Sequence, residues 1–204
     1  GLQMLSIMVD LSLYILQLIM LLVKKWYGVR QHQIMQCITN LYNMKDDKWI
    51  IFDLDGTLAD IEDRRILAMN EYTGKMNWDM FFDPKNIHMD KPNQPVIMMA
   101  QALKAFGYKI AIFSGRSVAT ILETKQWLSD NGIEFDLIKM RPTNHPFKFM
   151  PDEKLKSDWF NEVFVDPEDM DESEVVAVFD DRDKVVKMWR EIGLTCMQVA
   201  PGNF

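Results

Sequence analysis

A chain of 204 residues that is 48% hydrophobic and 26% charged has the make-up of a globular protein with one core of ordinary domain size. Its formal net charge of -7 excludes a broad basic surface that would grip nucleic acid through many phosphates, so any such contact is expected to be local. Cys37 and Cys196 stand far apart with no CxxC pair, and His32, His88 and His145 are scattered. No zinc site or histidine triad is therefore expected, and the two thiols read as packed side chains in a reducing compartment.

In chain order, residues 1–47 come first as a hydrophobic segment, since Leu5 to Val23 is an apolar run broken only by Ser6, Asp10, Ser12 and Gln17 and closed by Lys24 and Lys25. At ~1.5 Å per residue the run reaches roughly 28 Å, close to the hydrocarbon core of a bilayer. Three readings stay open: a membrane-spanning helix, a helix packed against the domain or a partner along the side free of Ser6, Asp10 and Gln17, and an upstream stretch outside the functional protein. In the first case Lys24, Lys25 and Arg30 place the following domain on the cytoplasmic side.

From Lys48 onward short apolar strands alternate with amphipathic helices, the pattern of an α/β domain with a parallel sheet covered on both faces. The expected elements are a strand at Trp49 to Phe52, a helix at Ile61 to Tyr72, and an irregular stretch at 73–94 broken by Gly74, Pro84, Pro92 and Asn93, a candidate small cap. A helix at Val96 to Phe106, a strand at Lys109 to Phe113, a helix at Ala119 to Asn131 and a strand at Leu137 to Met140 follow, with Gly107 and Gly132 at helix ends. The remainder reads as a helix at Asp152 to Phe164, an acidic loop, a strand at Val175 to Phe179, a helix at Lys184 to Ile192 and a strand at Thr195 to Val199. No G-x-x-x-x-G-K-[ST] phosphate loop is present, which excludes a kinase domain of that type.

The strongest chemical signal is Asp53-Leu54-Asp55-Gly56-Thr57-Leu58 directly after an apolar strand. Two carboxylates at a strand's carboxyl end, followed by a glycine turn, can face one phosphate, one to attack and one to move a proton. A strand ending in an ordinary Asp-Gly turn is the other reading of these residues alone.

Asp53-x-Asp55-Gly56-Thr57-Leu58 resembles motif one of the haloacid dehalogenase (HAD) superfamily, and the later motifs follow in order. Ser114-Gly115-Arg116 resembles motif two, Lys156 the motif-three lysine in an Asp152-x-x-x-Lys156 register that disfavours Lys154, and Phe179-Asp180-Asp181-Arg182 the acidic motif four. The run Asp180 to Arg190, then Gly193, Cys196, Gln198-Val199 and Gly202-Asn203-Phe204, with Met140-Arg141, is similar to the phosphatase domain of phage polynucleotide kinase-phosphatases. The likeness covers about Trp49 to Phe204.

The resemblance implies a HAD-like fold over 48–204 and a magnesium-dependent phosphatase. In it Asp53 attacks phosphorus, Asp55 protonates the leaving oxygen, and Ser114 and Lys156 hold the phosphoryl oxygens. Mg2+ would be held by Asp53, the Asp55 carbonyl, Asp180 and Asp181, with Asp152 orienting Lys156. Arg64, Gly115, Arg116 and Arg141 would lie around the substrate, expected to be a 3'-phosphorylated polynucleotide end or nucleotide. A nucleotidase or general phosphatase acting on small molecules is the nearest alternative, and a non-catalytic interaction module is the third. Trp78, Phe81 and Phe82 either form the core of the cap or stack a base.

Overall fold

The structure, a computed structural model, describes residues 48–165 and 174–202. The apolar run at 5–23 and most of the acidic stretch lie outside them, and among the described residues no helix is long and apolar enough to cross a membrane.

Five strands, β1 (Trp49–Phe52), β4 (Lys109–Ser117), β5 (Leu137–Arg141), β6 (Val175–Asp180) and β7 (Cys196–Gln198), form one sheet in the order β5-β4-β1-β6-β7. Every pairing in it is parallel. Parallel strands need crossover segments, and here the helices α3 (Gln94–Ala105), α4 (Ile121–Asp130), α5 (Asp152–Phe164) and α6 (Asp183–Glu191) supply them.

The alternation of side chains along the strands builds two cores. Ile50 and Phe52 of β1, Ile110 and Ile112 of β4, and Ala177 and Phe179 of β6 face Ile97, Ala100, Trp127 and Leu128 of α3 and α4. Ile51, Ala111, Phe113 and Val178 point the other way, onto Leu155, Trp159, Phe160, Val185 and Trp189 of α5 and α6. Burial on both faces is why these strands read as continuous apolar runs in the sequence.

Between β1 and α3 lies an inserted segment whose neck is a short antiparallel pair, β2 (Ala59–Asp60) with β3 (Lys91–Pro92). It carries α1 (Glu62–Ala68), α2 (Trp78–Phe81) and a 3-10 turn at Pro84–Met89. The expected helix from Ile61 to Tyr72 stops at Ala68 because Met69 is extended and the Asn70 side chain accepts from the N–H groups of Tyr72 and Thr73. That side-chain turn offers the backbone an alternative to the helix. β4 runs past the expected Phe113 to Ser117, with a register break against β5 between Ser114 and Ser117. Gly107 and Gly132 follow α3 and α4 with positive φ, as the sequence predicts.

Candidate active site

The chain builds β1, β4 and β5 on one side of the sheet and then crosses to β6 and β7 on the other. The crevice at that reversal opens beyond the carboxyl ends of β1, β4 and β6. Asp53 follows β1, Ser114 lies near the carboxyl end of β4, and Asp180 ends β6, so the three motif segments meet there because of the strand order.

Lys156, one turn into α5, brings its ammonium 2.6 Å from Asp53 Oδ1 and 2.7 Å from Asp180 Oδ2. One oxygen each of Asp53, Asp180 and Asp181 lies within 4.8 Å of the others. All four residues are buried, whereas Lys154 is exposed. Burial would lower the affinity of the Lys156 ammonium for its proton, but Asp180, Asp53 and Asp152 outweigh it and keep the lysine charged.

Burial also lifts the Asp53 carboxyl well above the ordinary carboxylate range, against the pull of Lys156 and with help from Asp180 and Asp181. Burial and Asp180 together push Asp181 up to about 6. Three carboxylates against one ammonium leave negative charge that a small divalent cation would offset. A buried, histidine-free set of carboxylate oxygens fits a hard cation.

The acidic loop after β6 is held from several sides. Gly56 has φ +91, and a Cβ built there would lie 2.2 Å from Asp181 Oδ2, so only glycine permits this approach. Thr57 Oγ1 donates to Asp181 Oδ1 over 3.4 Å. From β7, the Gln198 side-chain amide donates to the Asp181 carbonyl at 2.8 Å and to Asp183 Oδ1 at 2.6 Å, while Gly202 accepts from the Asp183 N–H at 2.8 Å.

Asp55 belongs to a second cluster. Arg64 Nη2 donates to its Oδ1 at 2.9 Å and Arg116 Nε to the same oxygen at 2.6 Å. Behind both guanidiniums sits Asp90, which accepts from Arg64 Nε at 2.7 Å and from Arg116 Nη2. Burial works to raise the Asp55 carboxyl, yet the two arginines prevail and hold it below its ordinary value. Arg64 and Arg116 are fully buried, with their donors turned onto these carboxylates and onto Phe81 O and Thr124 Oγ1.

Asp152 accepts from Arg141 and Arg182 and reaches Lys156 only through its field. Its carboxylate lies so close to Gly115 that a Cβ there would stand 2.9 Å from Oδ1. Arg141 also donates to the carbonyls of Gly115, Phe147 and Met150. The buried Ser114 hydroxyl oxygen accepts from the Arg116 N–H at 3.2 Å.

The structure thus gathers Asp53, Lys156, Asp180 and Asp181, and sets Asp55, Arg64 and Arg116 beside them as a separate ionic group. Asp90 lies in no motif and escaped sequence reasoning, while Thr57 and Gln198 stand within the quoted motifs but were given no role there. The sequence held no signal for Asp90, because the burial of Arg64 and Arg116 that demands carboxylate partners shows only in the fold.

Comparisons with known proteins assign the family and the fold. The family model for the polynucleotide kinase PNKP phosphatase domain matches residues 47–204. A chain from the structure of the Pnkp1/Rnl/Hen1 complex is 33% identical, with 78% of this chain and 47% of that one covered and a TM-score of 0.59. This chain therefore spans about half the length of that relative. A predicted phosphatase from Clostridium acetobutylicum (15% identity, 74% and 83% coverage, TM-score 0.53) shares the fold. So does the Bacillus subtilis protein YfnB bound to magnesium (12% identity, 76% and 93% coverage, TM-score 0.50). With its sheet, its acidic loop and its lysine accounted for, the chain belongs to the polynucleotide kinase phosphatase-domain family of HAD phosphatases.

Proposed function

We propose that this phosphatase removes the 3'-phosphate from polynucleotide ends or nucleotides through a covalent aspartyl-phosphate, with Mg2+ as cofactor. The carrying observation is the contact of Lys156 with both Asp53 and Asp180, which puts a fixed ammonium where phosphoryl charge would develop. Likeness to a chain of an RNA repair complex supports the choice of substrate class.

In the first step an Asp53 oxygen forms a bond to phosphorus as the bond from phosphorus to the leaving oxygen breaks, and Asp55 gives that oxygen its proton. In the second, Asp55 takes a proton from water, the water oxygen bonds to phosphorus, and the Asp53–phosphorus bond breaks to release phosphate. Asp55 is held as a carboxylate by its arginines, so it acquires a proton when a phosphate dianion beside it raises its proton affinity by like-charge repulsion.

Asp53, Asp180 and Asp181 would hold Mg2+, which would supply positive charge against the phosphoryl oxygens. Ser114 and Lys156 steady those oxygens, while Asp152, clasped by Arg141 and Arg182, shapes the adjoining wall beside Gly115. The inserted segment acts as a short cap that leaves the crevice open to a chain end.

The test is a substrate panel with and without Mg2+: a 3'-phosphorylated oligonucleotide, 3'- and 5'-mononucleotides, and the same oligonucleotide phosphorylated at its 5' end. Release of phosphate from the 3'-oligonucleotide, dependent on Mg2+, is expected. Turnover of the 5'-mononucleotide alone would replace this reading with that of a nucleotidase.

A further inference from the structure

Asp90 lies at the neck of the inserted segment, immediately before β3, and its side chain is fully shielded from solvent. Its two oxygens accept from Arg64 Nε at 2.7 Å, Arg64 Nη2 at 3.2 Å and Arg116 Nη2. Its main-chain carbonyl accepts from Trp127 Nε1 of α4 at 2.9 Å. The residue therefore joins three parts of the chain: α1 through Arg64, the end of β4 through Arg116, and α4 through Trp127.

The two arginines close a ring of alternating charge with Asp55, both of them meeting its Oδ1. Only Asp55 in this ring keeps measurable side-chain exposure, 17% against 0% for Arg64, Arg116 and Asp90. A phosphate ester in the crevice can thus meet Asp55 and cannot meet Asp90. With the rear carboxylate removed, two buried guanidiniums would converge on one oxygen with unmatched charge and would be driven apart.

We propose that Asp90 is a positioning residue for Asp55, bracing Arg64 and Arg116 from behind so that the front carboxyl is aimed at the leaving oxygen. This rests on Asp55 being the proton donor of the proposed reaction. Asp90 itself exchanges no proton with substrate.

The test uses the full chain with Mg2+, the variants Asp90→Asn and Asp90→Glu, and two substrates that differ in the proton they need. p-Nitrophenolate leaves without protonation, whereas the sugar alkoxide of a 3'-nucleoside monophosphate needs a proton. Because a general acid contributes on the order of 100-fold or more, Asp90→Asn is expected to lower kcat/KM, which reports the step that expels the leaving group and not the later attack of water, at least ~100-fold on the nucleotide and less than ~10-fold on p-nitrophenyl phosphate. Asp90→Glu, which restores the charge, should recover part of the nucleotide rate. Circular dichroism and thermal melting establish folding.

An equal loss on both substrates would overturn the proposal. So would failure of both variants to fold, which would assign Asp90 to stability alone. Asp55→Asn run in parallel separates the two ideas. If it shows the leaving-group dependence and Asp90→Asn does not, only the role of Asp90 falls; if Asp55→Asn shows none, the proton-donor reading falls and this one with it.

Discussion

Two charge clusters flank the end of β1 and differ in balance. Around Lys156, three buried carboxylates face one ammonium; around Asp90, two carboxylates face two guanidiniums. Asp53 and Asp55 stand two positions apart in sequence, yet the first is raised well above the ordinary carboxylate range and the second is lowered. Burial pushes both upward, and what separates them is that Asp53 meets one ammonium and two further carboxylates whereas Asp55 meets two guanidiniums. Asp90, sealed from solvent, is raised because burial there outweighs its arginines. The first cluster is thus poised to take up a cation and the second is complete within the protein.

The largest effects should come from the unbalanced cluster. Asp53→Asn is expected to abolish phosphate release by at least ~10⁴-fold, in line with the loss of other nucleophiles. Yet in chelator its melting temperature should rise, because a neutral side chain replaces a carboxylate that burial disfavours, and each ~1 kcal/mol moves a domain of this size by roughly 2–4 °C. Lys156→Met should do the reverse to stability: it strands three carboxylates, costs about 3 kcal/mol in chelator, and is partly rescued by Mg2+. A fall in melting temperature for Asp53→Asn in chelator would break the contrast between the clusters.

The pH dependence sharpens the same contrast. Asp181 is pushed up to about 6 in the folded protein, above its ordinary value, so protonation favours the fold. The metal-free protein should be most stable on the acid side and lose stability as pH rises through about 6, by several degrees between pH 5 and 7.5. Asp55 has the opposite sign: its contribution is present above the ordinary carboxylate value and is lost as pH falls below its lowered one, outside this window. Saturating Mg2+ should flatten the slope. Melts with equal slopes in chelator and in Mg2+ would remove the cation from the proposed site.

Much of this was legible in the sequence, for identifiable reasons. The strands of the main sheet from β1 to β6 carry apolar runs because both sheet faces are covered, and Asp53, Lys156 and Asp180 sit at element ends or in a motif register that fixes their place. The pairing of β2 with β3 was not legible, since Ala59–Asp60 and Lys91–Pro92 are two residues each and have no pattern of their own. Nor was the inward turn of Arg64 and Arg116, whose sequence neighbours say nothing about a carboxylate 26 positions away. Long-range ionic partners are chosen by topology, and topology is where local pattern stops.

The smallest expected effect lies in the strap behind the acidic loop. Gln198 is aligned with Asp180 in the pairing of β7 with β6, and its amide ties the Asp181 carbonyl and the Asp183 carboxylate without approaching Asp53 or Lys156. Gln198→Leu keeps the bulk and deletes both hydrogen bonds, so Asp181 loses orientation but not charge. Groups that orient a ligand usually alter metal affinity rather than the reaction, so the Mg2+ concentration for half-maximal activity should rise about 10-fold with little change in the saturated rate. Titration of the melting temperature with Mg2+ should shift by the same factor. An unchanged Mg2+ requirement would mean that Gly56 and Thr57 hold Asp181 unaided; a lost saturated rate would mean that the strap also fixes Asp180 and, through it, Lys156.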